Sequence, residues 1–246
     1  MSRPVAKSAA TQREWEDLAE LDPLWAILSN EEKQFGRWDV VEFFASGHRE
    51  VDDLMAVCGI RRGSNGRVLD FGCGVGRLSR GLRTYFGEVY GVDISKEMIR
   101  LAREHTPSCN FLLNQSDNLH LFQNDFFDFV YSNIVLQHQC ARDLAKAYIR
   151  EFVRVTRPKG TIVFQIPHRL TLRQALQPRR RLYSLLRRFG FPAGDLYNRL
   201  HLNPMRTICL SSGEVKQTVS SVGARLVRSY QDDFNIHSTS YVVTKD

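Results

Sequence analysis

The stretch VLDFGCGVGRLSRGL, residues 68–82, sets Gly72, Gly74 and Gly76 at alternate positions directly behind an apolar run and Asp70. An apolar run that ends in a glycine-rich turn and continues into a helix-compatible segment is how a parallel α/β sheet builds a ligand site. The ligand lies outside the carboxyl end of the strand, and glycine lets it come close to the backbone. A dinucleotide fingerprint places a third glycine or alanine at G-x-G-x-x-G/A. Here that place falls on Arg77 counting from Gly72 and on Ser79 counting from Gly74, which disfavours a nicotinamide oxidoreductase. The stretch instead reads D-x-G-x-G-x-G from Asp70 to Gly76, with Phe71 and Val75 as core residues.

Working outward, short β-rich runs alternate with helical ones from residue 67 onward, the pattern of βαβ units and a parallel sheet. Strands are predicted at RVLDF (67–71), VYGVD (89–93), CNFLL (109–113), FDFVYSN (127–133) and TIVFQI (161–166). KEMIRLAREH and DLAKAYIREFVRVT read as helices between them. ARLVRSYQ (224–231) and TSYVVTKD (239–246), after the helix SGEVKQTVSSVG, predict a closing hairpin. Upstream, Trp15, Leu18, Leu21, Leu24, Trp25 and Leu28 recur near helical spacing, with Asp22-Pro23 as a break. Asp39 and Glu42 form a capping-box pattern, and Gly47 and Gly59 are expected to end the helices that follow.

With 246 residues, 43% of them apolar, and no low-complexity tract, the chain reads as one elaborated domain. The elaborations are a helical cap at 1–60 and a basic helical insertion or lid at 168–205, around a core formed by 61–167 and 206–246. No apolar run reaches the roughly 18 residues of a spanning helix, and no apolar segment follows the basic residues of the N-terminus, so a cytoplasmic chain is expected. Five scattered cysteines without a C-x-x-C pair point to reduced thiols and to neither a disulfide framework nor a metal site.

The D-x-G-x-G-x-G turn and the strands after it, over about residues 65–167, resemble the class I S-adenosylmethionine-dependent methyltransferases. VYGVDIS supplies Asp93, 21 residues after Gly72, where the family's acidic residue chelates the ribose diol. FDFVYSNIVLQH resembles the family's fourth-strand run, and RVTRPKGTIVF the turn before the fifth strand. NQSDNL occupies the adenine loop, but Gln115 stands where many relatives carry an acid, so Gln115, Ser116 and Asp117 all remain adenine contacts to consider. The resemblance implies a Rossmann-like, open, mostly parallel seven-stranded sheet with helices on both faces. It implies S-adenosyl-L-methionine as cofactor, held by Asp70, Gly72, Cys73, Gly74, Gly76, Asp93, Ile94, Gln115, Ser116, Asp117 and Asn133. Asp70 either touches the cofactor's ammonium or orders the turn by accepting backbone amides.

The implied chemistry is in-line displacement at a sulfonium methyl group, for which positioning supplies much of the rate. A hydroxyl acceptor must also lose a proton, and His138, five residues past the fourth strand, is the candidate base; its alternative is a histidine hydrogen-bonded within the following helix. His168 and His201 are surface or substrate-contact residues, and Trp25 and Trp38 either cover the cofactor or belong to the core. No Asn-Pro-Pro-aromatic signature of base or glutamine methylation occurs.

Residues 169–206 hold nine arginines against Asp195 alone, so most of the formal charge of +7 sits in one segment and the remainder is nearly neutral. That distribution suggests local recognition of an anion, not a general nucleic-acid surface. At 100° per residue from Arg179, Leu185, Phe189, Leu182, Leu186 and Tyr183 fall between about 240° and 40°, and Arg187, Arg180, Arg188 and Arg181 between roughly 80° and 200°. A basic amphipathic helix with this pattern suits peripheral contact with an anionic membrane. The expected activity is O-methylation of a hydroxyl on a small molecule or carrier-linked sugar, anionic in character. An RNA methyltransferase and a non-catalytic nucleoside-binding subunit are the alternatives.

Overall fold

The computed structural model describes residues 6–232 and 235–246. The first five residues of the expected cap and residues 233–234 of the closing hairpin lie outside the described residues. Five strands run parallel: β1 (Ser64–Phe71), β2 (Phe86–Asp93), β3 (Asn110–Leu113), β4 (Phe127–Ser132) and β5 (Thr156–Pro167). β6 (Ala224–Asp232) and β7 (Asn235–Lys245) pair antiparallel, and β7 also pairs antiparallel with β5. The order β3-β2-β1-β4-β5-β7-β6 makes one seven-stranded Rossmann-like sheet, with its topological switch between β1 and β4.

The helices are α1 (Ala6–Leu21), α2 (Pro23–Ile27), α3 (Val40–Cys58), α4 (Arg77–Leu82), α5 (Lys96–His105), α6 (Arg142–Val155), α7 (Leu172–Leu176), α8 (Pro178–Arg188), α9 (Ala193–Asn198) and α10 (Ser212–Ser220). Among the described residues none is long and apolar enough to cross a membrane. Successive strand residues serve opposite faces. Val68, Val89, Phe129 and Val163 pack with Val51 and Leu54 of α3 and Leu78 and Leu82 of α4. Leu69, Val130, Ile162 and Phe164 pack with Ile149 and Phe152 of α6 and Val215 of α10.

α1 and α2 lie over the carboxyl ends of the strands, where Leu18 and Trp25 join Phe43, Val75, Met98 and Tyr197 in a separate cluster. Asp22 sits at the predicted break between the two helices. It is 2% exposed, and its Oδ2 accepts from the Gly36 amide at 3.0 Å and from the Tyr197 hydroxyl at 2.8 Å.

Three sequence expectations change. Gly47 does not end a helix: α3 runs through it to a left-handed C-cap at Gly59. A Cβ at Gly47 would lie 2.4 Å from the Arg77 carbonyl oxygen, so glycine is needed there for the approach of α4, not for termination. Asp39 caps α3 through the Glu42 amide at 2.8 Å, but the Glu42 carboxylate turns to Lys33 instead of closing the box. The basic stretch forms two helices, because Gln177 adopts φ 46° and Pro178, lacking an N–H, begins α8. The apolar face of α8 is divided as well. Tyr183 and Leu186 pack on Leu196 and Leu202, while Leu182, Leu185 and Phe189 are exposed.

Arg77, at the place where a dinucleotide motif needs its last glycine, is 3% exposed. Its Nη2 donates to Glu50 at 2.6 Å, and Glu50 also accepts from the Tyr131 hydroxyl at 3.0 Å and from Asn133 at 2.6 Å. Removing one partner of such a pair strands the other charge in the interior. Glu50→Ala is expected to lower unfolding stability by about 3 kcal/mol in urea denaturation, the low end for a buried pair because Glu50 keeps some contact with water.

Candidate active site

The turn after β1 passes through positive φ at Gly72 (76°), Gly74 (52°) and Gly76 (85°). A Cβ on Gly72 would fall 2.3 Å from Val135 Cγ2, and one on Gly74 2.4 Å from Ile27 Cδ1. Backbone and neighbours are therefore as close as glycine permits. Above this turn, at the carboxyl ends of β1, β2 and β4, lies a cavity of about 110 Å³ that opens to solvent. Trp15, Ile27, Val135 and Tyr148 give it a largely apolar wall, and Asp93, Asn114, Asn133 and His138 are its polar members.

Asp93 closes β2 and is held from two sides. Its Oδ2 accepts from the Gly74 amide at 3.0 Å and its Oδ1 from the Ser95 amide at 2.9 Å. Burial raises its pKa, and the backbone donors of Ser95, Gly74 and Ile94 oppose the rise. Each oxygen keeps a lone pair beyond those bonds. Across the cavity Ile134 adopts φ 59°, a conformation that a β-branched residue resists, and its amide donates to the buried Gln165 side chain at 3.1 Å. Strain of this kind collects at ligand sites, where the surroundings enforce it.

Of the residues singled out from sequence, the structure brings Gly72, Gly74, Asp93, Ile94, Asn133 and His138 to the cavity wall. Asp70 is elsewhere. It is 1% exposed, its carboxylate takes the Ser79 hydroxyl at 2.5 Å, and burial pushes its pKa up to about 6. It braces the turn through a side chain, not through backbone amides. Cys73 is buried with Ile99, Ala102 and Phe111, burial raising its thiol pKa, and Gly76 caps α4. Gln115, Ser116 and Asp117 stand beside the wall; Asn114, one residue earlier, lines it. The Ser116 carbonyl accepts from the Tyr148 hydroxyl at 2.8 Å.

Trp25 and Trp38 are core residues that donate to the carbonyls of Asn30 and Leu28. The aromatic that reaches the cavity is Trp15, with Thr11 one helical turn before it, a pairing visible in the sequence as i, i+4 on α1. His168 bonds Thr239, and His201 packs on Phe35.

His138 has both ring nitrogens engaged. Nδ1 lies 2.5 Å from the Arg206 carbonyl oxygen, which makes it the protonated nitrogen, and Nε2 lies 3.1 Å from the Gln137 amide nitrogen. Trp15 meets the ring edge-on at 5.3 Å between centroids. Burial pushes its pKa down to about 4.

Against known proteins, the family described as "Methyltransferase domain" matches residues 69–164. Residues 69–164 are a methyltransferase domain. The chain is similar to the malonyl-[acyl-carrier protein] O-methyltransferase of Pectobacterium atrosepticum, 33% identical over 150 residues that make up 58% of each chain. It is 37% identical to that of Halorhodospira halophila over 102 residues, 40% of this chain and 34% of the relative. The match thus spans between about a third and three fifths of these relatives' length. Among solved structures, magnesium protoporphyrin IX methyltransferase from Synechocystis PCC 6803 with bound S-adenosylhomocysteine shares the fold. It superposes with TM-score 0.62 at 18% identity, covering 98% of this chain and all of that one. The PH0226 protein from Pyrococcus horikoshii OT3 does so at 0.59 and 22%, covering 88% and 99%.

The methyltransferase domain offers what S-adenosylmethionine needs. Two cavity-lining glycines leave a cradle that any Cβ would fill, a fixed carboxylate ends β2, and apolar walls surround the space between them.

The histidine has a pH signature. With a folded pKa of about 4 against 6.5 in the unfolded chain, unfolding takes up a proton between those values. The stability His138 contributes is whole above about pH 6.5 and falls as the pH drops toward 4. Asp70, raised from 3.8 to about 6, acts with the opposite sign over most of that window and masks the effect in wild type alone. The stability difference between wild type and His138→Gln removes the Asp70 contribution. It is expected to shrink steadily between about pH 7 and pH 4.5 in denaturant titrations.

Proposed function

We propose that the chain transfers a methyl group from S-adenosylmethionine to a carboxylate oxygen of a small or carrier-linked acid. The observation that carries the cofactor half is the Asp93 carboxylate fixed beside the Gly72–Gly74 cradle at the switch point. In this reading Asp93 accepts from the ribose hydroxyls, and Ile94 and Asn114, with the loop at Gln115–Asp117, border the adenine. Gly72, Gly74 and Asn133 face the amino-acid end. Asp70, Cys73 and Gly76 act one layer back, on the shape of the turn.

When bound, the cofactor would supply an electrophilic methyl carbon, open to in-line attack by an acceptor oxygen with the sulfonium sulfur of the departing S-adenosylhomocysteine as leaving group. Trp15, Ile27 and Val135 keep water from that space and press the acceptor toward the methyl group, which is the larger part of what the protein must do. The surroundings of His138 support a carboxylate over the hydroxyl that the sequence suggested. A hydroxyl needs a base of near-neutral pKa, whereas this histidine is pushed down to about 4 with both nitrogens already bonded. A carboxylate arrives ionised and has no proton to lose. The malonyl-[acyl-carrier protein] O-methyltransferase relatives are named for transfer to an acid carried on a protein, which supports the same class.

Two measurements test this. Asp93→Asn, folded by its thermal melt, is expected to bind S-adenosylhomocysteine about ten- to a hundredfold more weakly than wild type in calorimetry, the loss of charge-assisted bonds to two hydroxyls. Affinity equal to wild type would remove Asp93 from the cofactor site. In the second, labelled S-adenosylmethionine is offered with free acids, carrier-linked acyl thioesters, sugars and RNA. Label on an acid, released as methanol by mild base, is the expected result. Base-stable label on a sugar would restore the hydroxyl acceptor, label on RNA would establish the nucleic-acid reading, and cofactor binding without transfer to any of them would favour a non-catalytic subunit.

A further inference from the structure

Beside the large cavity lies a tight recess, too narrow as it stands to admit a water molecule, lined by Glu14, Arg206, Trp15 and His138 among others. Trp15 and His138 also line the large cavity, so their crossed rings are the partition between the two. Glu14 in the recess wall is shared by two arginines, Arg206 of the same wall and Arg180 outside it. Arg180 of α8 reaches Glu14 Oε1 at 3.3 Å, and Arg206 reaches Glu14 Oε2 at 3.4 Å and the Cys140 carbonyl at 3.0 Å.

These bonds engage three N–H groups of two guanidiniums that carry many more. The Nε atoms of both arginines are buried without an acceptor, as is the hydroxyl of Ser184, one turn after Arg180 on α8. An orphaned buried donor is costly, and three of them near a surplus positive charge supply the donors for an anion that displaces Glu14. Glu14 occupies part of it at long, weak distances, and burial raises the Glu14 pKa in spite of both arginines.

We propose that Arg180 and Arg206 form an oxyanion subsite that binds a carboxylate or phosphate group of the methyl acceptor, with Glu14 as an internal competitor for the same donors. The subsite rests on the reading that methyl transfer takes place in the large cavity, since only then does an anion fixed across the Trp15–His138 partition orient a substrate. Arginine suits the task because its planar fork meets two oxygens at once.

The test uses the full chain without cofactor, titrated with malonate and, separately, with inorganic phosphate in calorimetry at low salt. Wild type is expected to bind at least one of them, and the preferred one identifies the source of the oxyanion. Arg180→Gln/Arg206→Gln is expected to lose about tenfold or more in affinity. If that pair fails to fold, Arg180→Lys and Arg206→Lys singly keep the charge but lose the fork, and each is expected to weaken binding severalfold. Glu14→Gln should tighten it severalfold, a gain that a merely structural bridge would not produce. Absence of binding by wild type, equal affinity in the arginine variants, or weakened binding in Glu14→Gln would overturn the subsite. S-adenosylhomocysteine titrated into the same samples separates the two readings. Anion binding without nucleoside binding would sink the methyl-transfer reading alone, and nucleoside binding without anion binding the subsite alone.

Discussion

The turn between β1 and α4 can exist only without side chains, and the rest of the site is arranged around that constraint. With Gly72, Gly74 and Gly76 at positive φ, the turn folds against the end of β2, where the Gly72 and Cys73 amides donate to the Val92 carbonyl and the Gly74 amide to the Asp93 carboxylate. The space left by the missing Cβ atoms is used at once. Val135, beyond β4, closes on Gly72, and Ile27 of α2 closes on Gly74. One backbone conformation thereby brings together a strand end, the segment after β4 and the N-terminal helices. These are the walls a nucleoside cofactor requires.

The opposite wall depends on a buried charge. Arg77 follows the glycines directly, and its carbonyl is packed against Gly47 so closely that any side chain there would collide. Its guanidinium holds Glu50, which in turn holds Asn133 at the cavity edge. Next to Asn133 stands Ile134 in its left-handed conformation, anchored by Gln165. A dinucleotide-binding turn would have used glycine at position 77 to let helix and strand approach. Here α4 approaches α3 through Gly47, which frees position 77 for the ion pair that fixes Asn133.

What the sequence disclosed and what it withheld follow one rule. Strands were legible because each is a short apolar run bounded by glycine, proline or polar residues. Asp93 was legible because its place depends only on distance along the chain from the first glycine turn. Gly47 was misread because a glycine that ends a helix and one that admits a neighbouring helix look alike until the neighbour is known. Asn114 was missed in favour of Gln115, Ser116 and Asp117, since one residue of phase at the end of β3 decides which side chain faces inward. For His138, position could be inferred from the strand before it, but its loss of basicity comes from burial under elements distant in the chain, with the Arg206 carbonyl 68 residues away opposing it. No local pattern carries that information.

The basic insertion shows how a formal charge can mislead. Nine arginines between 169 and 206 read as a surface for anions, yet Arg180, Arg187 and Arg206 face Glu14 and Asp17 of α1. The more exposed of these pairs, Arg187–Asp17, contributes little. What holds α1 and the insertion together is the apolar cluster around Tyr197 and the Asp22–Tyr197 hydrogen bond. The arginines therefore matter less as struts than as a field. Two of them converge on one carboxylate beside the partition of the cavity, while Arg169, Arg173, Arg179, Arg181, Arg188 and Arg199 are exposed, so the positive field extends over the surface of the insertion as well as the inner end of the site.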